Sequence, residues 1–180
     1  YARELDGCVF SNTRGGLGSS SSAVTEASTN ETATSFFGRS NKVVASVVTD
    51  GMTDTERLRA CYDYIYNHVD YRSNNNHVPR GAAPSEWTEE YMLRLINTGK
   101  GNCYCYASEM YYFARRIGYY SANAVSGGVT PDNLDHGWCT VTVNGQVLML
   151  DPELDTSSGP YPGSVFLVTY KNAPFRYWAN

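Results

Sequence analysis

Two cysteines separated by one residue stand at the start of a predicted helix, in the stretch GNCYCYASEMYYFARRIGYY (101–120). Asn102 is a good helix N-cap, which makes Cys103 the first helical residue. The free N–H groups of a helix N-terminus favour the anionic form of a thiol, and the thiolate is the nucleophilic form. The stretch therefore predicts that Cys103 is a reactive nucleophile.

Cys105 is predicted to be a structural thiol. Two residues along an α-helix correspond to a rotation of about 200°, so Cys105 points away from the face on which Cys103 lies. That face continues at three- and four-residue spacing and is predicted to be buried, through Tyr106, Ala107, Met110, Tyr111, Ala114 and Ile117.

A thiol nucleophile requires a base, and the best placed of the three histidines is His136. It opens the segment HGWCTVTVNGQVLMLD (136–151), in which Asn-Gly is a strong β-hairpin signal. With Asn-Gly as the turn, Trp138 lies opposite Asp151, and His136 is a diagonal neighbour of Asp151 on the same sheet face. A carboxylate there can fix the tautomer and orientation of the imidazole. The spacing therefore predicts a site made of Cys103, His136 and Asp151.

A zinc site is the alternative use of this region, with four possible ligands: Cys103, Cys105, His136 and Cys139. We do not favour it. A Cys-x-Cys pair across a helix start and a His-x-x-Cys pair on a strand direct their ligands to opposite sides. The chain also contains Cys8 and Cys61, and five cysteines leave at least one thiol without an intramolecular disulfide. The disulfide pairing stays open.

The elements that must position these residues are helices first and strands later, which is typical of the α+β class. Helices are predicted at about 43–48, from a cap at Thr53 or Asp54 onward, and from a cap at Ser85 to about Asn97. The second helix has a stripe predicted to be buried: Leu58, Cys61, Tyr62, Ile65 and Val69. Strands are predicted at 119–128, in the hairpin and at 164–170.

Residues 1–40 are rich in Gly, Ser and Thr and are predicted to be an N-terminal arm or linker, with the catalytic domain at 41–180. The net charge of −4 and only three lysines argue against nucleic-acid binding. No apolar run is long enough to span a bilayer, and no signal peptide is visible. Because Tyr1 is not a natural start, we expect a mature or excised fragment.

These stretches resemble the transglutaminase-like superfamily. GNCYCYASEMYYFARRIGYYSANAVSG is similar to the superfamily's G-x-C-x-x-Y-A helix and the strand after it. DHGWCTVTVNGQVLMLDPELD is similar to its segment with H-x-W and D-P. The order Cys, His, Asp also matches, and the resemblance covers roughly residues 41–170.

The resemblance implies a papain-like α+β fold with the nucleophile at the N-terminus of a central helix. It implies that Cys103 is the nucleophile, His136 the general base and Asp151 the orienting acid, with no metal or organic cofactor. Trp138, on the His136 face, and Trp87, upstream of the nucleophile, are candidate substrate-binding residues by position.

The implied function is a thiol-dependent enzyme that attacks amide carbonyls of peptides or glutamine side chains through a Cys-linked acyl-enzyme. Hydrolysis by a cysteine protease and transfer by a transglutaminase both stay open. The alternative is a catalytically silent binding or adhesion module of an exported surface protein. We expect a protein or peptide substrate, a monomer, and a secreted or cell-surface location in a bacterium.

Overall fold

The computed structural model describes residues 36–73, 76–130, 134–157 and 164–179. Its helices are α1 (Phe36–Val47), α2 (Asp54–His68), α3 (Thr88–Thr98), α4 (Cys103–Arg116) and α5 (Pro152–Ser157). Its strands are β1 (Asp70–Tyr71), β2 (Lys100–Gly101), β3 (Asn123–Val129), β4 (Leu134–Val143), β5 (Gln146–Leu150), β6 (Phe166–Val168) and β7 (Tyr177–Ala179). The combination of helices with an antiparallel sheet confirms the predicted α+β class.

Helix α4 lies at the centre of the molecule. Strands β3 to β7 form one antiparallel sheet in the order β6-β5-β4-β3-β7, and α4 packs against β4 and β3 of that sheet. Helices α1, α2 and α3 pack against α4 from other sides. The prediction of one buried face on α4 was therefore too narrow, because Ser108, Glu109 and Arg116 are also buried.

The hairpin β4–β5 has the predicted register. Val143 pairs with Gln146, and the ladder continues to Cys139 opposite Leu150. The turn residues Asn144 and Gly145 have φ angles of 51° and 77°. Positive φ at both positions is the requirement of a type I′ hairpin turn, and Asn-Gly satisfies it at little cost. The turn chemistry thus fixes which side chains share a face of the sheet.

Helix α2 begins at a reciprocal cap. The Thr53 hydroxyl accepts a hydrogen bond from the Glu56 N–H at 3.3 Å, and the Glu56 carboxylate accepts one from the Thr53 N–H at 2.7 Å. The predicted stripe of α2 is buried over its whole length, including Val69 just after the helix. A capped, amphipathic helix is therefore anchored against α4.

We expect Thr53→Ala to lower the free energy of unfolding by about 1 kcal/mol, because it removes the side-chain acceptor of this cap. Urea denaturation at neutral pH measures the change. Thr53→Ser, which keeps the hydroxyl, is the matched control and is expected to stay near wild type. Equal stability of the Ala and Ser variants would contradict the prediction.

Several boundaries differ from the sequence-based expectation. Helix α1 begins at Phe36, so residues 36–40, which were assigned to the arm, are helical. The rest of the predicted arm, 1–35, lies outside the described residues. Ser85 is not the cap of α3, because it lies in a short 3-10 helix (Pro84–Glu86) that precedes α3.

The strand predicted at 119–128 begins later, at Asn123, because the chain turns after α4. Strand β7, which pairs with β3, was not predicted. None of the described helices is both long and apolar enough to cross a membrane.

Candidate active site

The predicted nucleophile occupies the first position of α4. Asn102 is the N-cap, and its side chain accepts a hydrogen bond from the Cys105 N–H at 3.4 Å. Its backbone carbonyl accepts hydrogen bonds from the N–H groups of Cys105 and Tyr106, at 2.9 and 3.2 Å. Gly99 ends α3 in the left-handed conformation, with φ of 67°. A glycine is needed there for the sharp connection into α4.

The described cysteines are all free thiols: Cys61, Cys103, Cys105 and Cys139. Cys103 is 8% exposed, whereas the other three are exposed by 1% or less. Burial raises the pKa of Cys61 and of Cys105 to about 12, and it also raises the pKa of Cys139. A thiol with so high a pKa is not nucleophilic at neutral pH, so Cys103 is the one described cysteine suited to that role.

Cys105 fills a space that Gly101 leaves open. A Cβ atom on Gly101 would lie 2.3 Å from the Cβ of Cys105 and 2.7 Å from its Sγ. Cys139 lies on the apolar face of β4, within the main core cluster, while His136 lies on the opposite face. The four side chains of the zinc alternative therefore do not converge.

His136 and Asp151 are paired in the interior. The Nε2 atom of His136 lies 2.6 Å from Oδ2 of Asp151, and the two residues are only 4% and 1% exposed. The predicted hairpin register places them on one face just beyond the last ladder pair of β4 and β5. The structure thus brings together the two residues that the spacing selected.

Asp151 is held by further hydrogen bonds. Its Oδ2 atom also accepts from the Tyr177 hydroxyl at 2.8 Å, and its Oδ1 atom accepts from the Leu154 N–H at 3.1 Å. The Asp151 backbone carbonyl accepts from the Tyr62 hydroxyl at 3.0 Å. These contacts fix the carboxylate relative to the imidazole, as a tautomer-setting group requires.

The protonated form of His136 is favoured. Burial of the ring lowers its pKa, but the charge and hydrogen bond of Asp151 act in the opposite direction, as does a hydrogen bond with the Cys103 side chain. The net result is that the pKa of His136 is raised well above its ordinary value. Because Asp151 binds Nε2, we assign Nδ1 as the nitrogen that faces Cys103. An imidazolium beside a thiol stabilises the thiolate.

Trp138 stacks against the imidazole of His136. Its ring is nearly parallel to that of His136, with centroids 6.1 Å apart and 17° between the planes. Trp138 is fully buried in the structure, and its role in substrate binding stays a prediction. Tyr177 packs edge-on against the Trp138 ring. The Nε1–H of Trp138 donates to the Tyr170 hydroxyl at 3.0 Å. The contact that the structure does show is the one with the His136 ring.

Helix α4 and strand β4 approach closely between the nucleophile and the base. A Cβ atom on Gly137 would lie 2.6 Å from Cδ1 of Tyr104 and 3.2 Å from its Cα. Gly137 follows His136, and Tyr104 follows Cys103, so this contact lies between the segments that carry the imidazole and the thiol. Only a glycine allows it.

Trp87 lines a cavity of about 760 Å³ together with Tyr91, Arg94 and the segment 76–82. Its ring meets that of Tyr104 edge to face, with centroids 5.7 Å apart. Trp87 therefore contacts Tyr104, the residue that follows Cys103. Its role in substrate binding stays a prediction.

Two residues near His136 were missed in the sequence. Tyr177 lies in β7, a short strand far along the chain, and no local signal connected it with Asp151. Glu153 is 5% exposed, and its Oε2 atom lies 3.8 Å from Nδ1 of His136. Its position could have been inferred from the sequence, because Glu153 lies only two residues after Asp151, where the chain passes from β5 into α5.

Comparison with solved structures gives the same fold. LapG of Legionella pneumophila has a TM-score of 0.53 at 12% identity, over 86% of this chain and 79% of that one. The same protein after EGTA treatment and in its calcium-bound form gives TM-scores of 0.52, also at 12% identity and over 86% of this chain, with 77% and 79% of those chains covered. At this identity the likeness concerns the fold. No curated protein sequence matches significantly.

A family model matches the sequence from residue 41 to residue 152, which is more than half of the chain. The matched range contains the helix that begins at Cys103, the strand that carries His136, and Asp151. This membership and the fold support an enzyme of the thiol-dependent kind. The chain belongs to the transglutaminase-like superfamily.

Proposed function

We propose that this protein attacks amide carbonyls of protein or peptide substrates and forms an acyl-enzyme on Cys103. The observation that carries the proposal is the buried pair of His136 and the Asp151 carboxylate at 2.6 Å, beside Cys103, which also raises the pKa of this imidazole. This is the arrangement of nucleophile, base and orienting acid that acyl transfer requires.

In the first step, the Cys103 thiolate adds to the carbonyl carbon, and the carbonyl π electrons move to oxygen. The Cys103 N–H, one of the first groups of α4, has no intrahelical partner and can donate to this oxyanion. The intermediate then collapses: the C–N bond breaks as protonated His136 gives its proton to the leaving nitrogen. The products are a free amine and a thioester on Cys103.

In the second step, water or a primary amine attacks the thioester. His136 accepts a proton from the attacking group, the C–S bond breaks, and the thiolate of Cys103 returns. Attack by water gives hydrolysis, and attack by an amine gives transamidation. Both outcomes use the same protein groups, so the choice depends on which acceptor reaches the thioester.

The proposal is tested by labelling with an electrophilic acyl probe, read by intact mass and peptide mapping. We expect wild type to be labelled once, at Cys103, and Cys103→Ala to lose at least about 10³-fold in labelling rate. Cys105→Ser is the matched control. We expect this variant to be labelled at close to the wild-type rate. The Cys105 thiol that it lacks is buried, and burial raises its pKa to about 12, so it does not compete for the probe.

Absence of labelling of the folded wild type at any pH would contradict the proposal and favour the silent binding module. Labelling at Cys105 would contradict the assignment of the nucleophile. For the reaction type, a glutamine peptide is incubated with and without a primary amine. Release of ammonia indicates deamidation, gain of the amine mass indicates transamidation, and two shorter peptides indicate proteolysis.

A further inference from the structure

We propose that Glu153 is a positioning residue that stabilises the protonated ring of His136 from its Nδ1 side and thereby prolongs the life of the acyl-enzyme on Cys103. The stabilisation of the ring is a property of the resting protein. Its effect on the acyl-enzyme rests on the proposed function. The two consequences are measured separately.

Two buried carboxylates flank the imidazole, one at each ring nitrogen. Asp151 binds Nε2 of His136 through Oδ2 at 2.6 Å, whereas Oε2 of Glu153 lies 3.8 Å from Nδ1. Each of the three residues is at most 5% exposed, so water and salt screen their charges little. An opposite charge within about 4–6 Å favours the charged form of an ionisable group. Glu153 is thus placed to stabilise the imidazolium.

The longer separation gives Glu153 a different role from that of Asp151. At 3.8 Å its carboxylate lies beyond hydrogen-bond distance from Nδ1, so it acts through its charge and does not hold the Nδ1 proton. That charge also acts toward the thiol: burial raises the pKa of Tyr71, and Glu153 and Cys103 raise it further. Asp151 therefore fixes the ring, while Glu153 adds a negative charge on the side where the proton is exchanged.

The backbone around Asp151 fixes the position of Glu153. Glu153 lies in the first turn of α5. The start of this helix is tied to Asp151 by the Leu154 N–H, which donates to Oδ1 at 3.1 Å, and by the Asp155 N–H, which donates to the backbone carbonyl at 3.4 Å. One turn of chain therefore carries both carboxylates that flank the imidazole.

Titratable side chains from four parts of the fold face His136 among the described residues: Asp151 just after β5, Glu153 on α5, Cys103 on α4 and Tyr177 on β7. Burial lowers the pKa of His136, and Asp151 and Cys103 raise it. The Tyr177 hydroxyl donates to Asp151. In the acyl-enzyme the sulfur of Cys103 is a thioester without charge, so only the two carboxylates still favour the imidazolium.

A ring that stays protonated slows the second half of the reaction. Deacylation by water requires neutral His136: a C–O bond forms, a proton of the water moves to Nδ1, and the C–S bond breaks with its electron pair returning to the sulfur of Cys103. While Glu153 keeps the ring protonated, this step is slow at neutral pH and the thioester persists. Deacylation is therefore expected to accelerate as the pH rises through the pKa of the ring.

The first measurement is an NMR titration of His136 in Cys103→Ala, which requires no catalysis. We expect Glu153→Gln, added to this variant, to move the titration midpoint down by at least about one pH unit, because it removes the charge and keeps the shape of the side chain. The matched control is Glu89→Gln, which changes an exposed glutamate on α3 and is expected to leave the midpoint unchanged. A midpoint that Glu153→Gln does not lower would overturn the inference.

The second measurement follows the loss of the acetyl group that p-nitrophenyl acetate places on Cys103, by intact mass across the neutral and alkaline range. Near neutral pH we expect Glu153→Gln to lose this group about 10-fold faster than wild type, with both approaching the same limiting rate in alkali, where the ring is neutral. Glu153→Asp, which keeps the charge, is expected to lie between the two. A change that is uniform over all pH values would indicate a merely structural role and would overturn the inference.

The outcomes separate this inference from the proposed function. If no acyl probe labels the folded wild type, the proposed function fails, and the titration still decides whether Glu153 stabilises the protonated ring. If wild type is acetylated and Glu153→Gln loses the acetyl group with the wild-type pH profile, the function stands and the inference fails. Circular dichroism of each variant confirms that the fold is intact.

Discussion

Replacing Asp151 with alanine is expected to lower the rate of Cys103 labelling by about 10⁴-fold in a protein that still folds. The carboxylate binds Nε2 of His136 at 2.6 Å and orients the ring toward the thiol. It also opposes the effect of burial on the pKa of His136. Without it, burial lowers that pKa, and the imidazolium is lost at neutral pH.

The measurement combines labelling kinetics with an NMR titration of His136. We expect the pKa of His136 to fall from well above its ordinary value in wild type to a lower value in Asp151→Ala. Tyr177→Phe is the matched control. It removes one donor to Oδ2 but keeps the carboxylate, and a modest loss is expected. A folded Asp151→Ala variant that is labelled at the wild-type rate would refute the assigned role.

We expect the rate of Cys103 labelling in Asp151→Asn to lie between those of wild type and Asp151→Ala. The reason is the set of hydrogen bonds that Asp151 accepts. The carboxylate accepts from His136 and Tyr177 at Oδ2 and from the Leu154 N–H at Oδ1. An asparagine has a single oxygen, so its amide nitrogen must face one of these donors. The variant can serve the imidazole only by giving up the bond to Leu154.

Replacing Arg39 with methionine is expected to cost about 3–5 kcal/mol of the free energy of unfolding at neutral pH. Arg39, on α1, donates through Nε to Oε1 of Glu109 at 2.8 Å. The Glu109 side chain is completely buried in α4, and its Oε2 atom has no hydrogen-bond partner among the described residues. Loss of the guanidinium leaves a buried carboxylate without a counter-charge.

The dependence on pH has a definite sign. Burial raises the pKa of Glu109, and Arg39 opposes that rise. In Arg39→Met the pKa therefore rises further, so the folded state binds a proton that the unfolded state lacks above the ordinary value of 4.5. Stability then decreases with rising pH through that window. We expect the deficit relative to wild type to be smaller near pH 5 than near pH 7.5.

Urea denaturation of both proteins at the two pH values measures the effect. The double variant Arg39→Met with Glu109→Met is the control, because replacing both partners by apolar groups removes the buried charge together with its partner. We expect it to recover most of the lost stability. A deficit that the double variant shares in full, or one that grows toward acid, would contradict the assignment to Glu109.

The site was predictable to the extent that its contacts are local. Asn144 and Gly145 fix the hairpin turn, and strict alternation then places His136 and Asp151 on one face, although they are 15 residues apart. Asn102 likewise marks the start of α4 by local cap chemistry. Such features follow from backbone preferences within a few residues.

The remaining features depend on contacts between distant segments. The partners Arg39 and Glu109 are 70 residues apart, and neither residue type indicates burial by itself. The same is true of Tyr177, which reaches Asp151 only because β7 pairs with β3. The burial of Trp138 likewise depends on Tyr170 and Tyr177, whose rings pack against it although they lie 32 and 39 residues further along the chain.

The close approach of Gly137 to Tyr104 has a mechanical consequence. His136 and Asp151 belong to one hairpin, so their separation is internal to a single rigid unit. Cys103 belongs to α4, a second unit that meets the hairpin at this contact. A small sliding of α4 along β4 changes the sulfur–imidazole distance and leaves the imidazole–carboxylate distance unchanged. The sulfur–imidazole distance therefore depends on how α4 is seated against β4, whereas the imidazole–carboxylate distance is set within the hairpin alone.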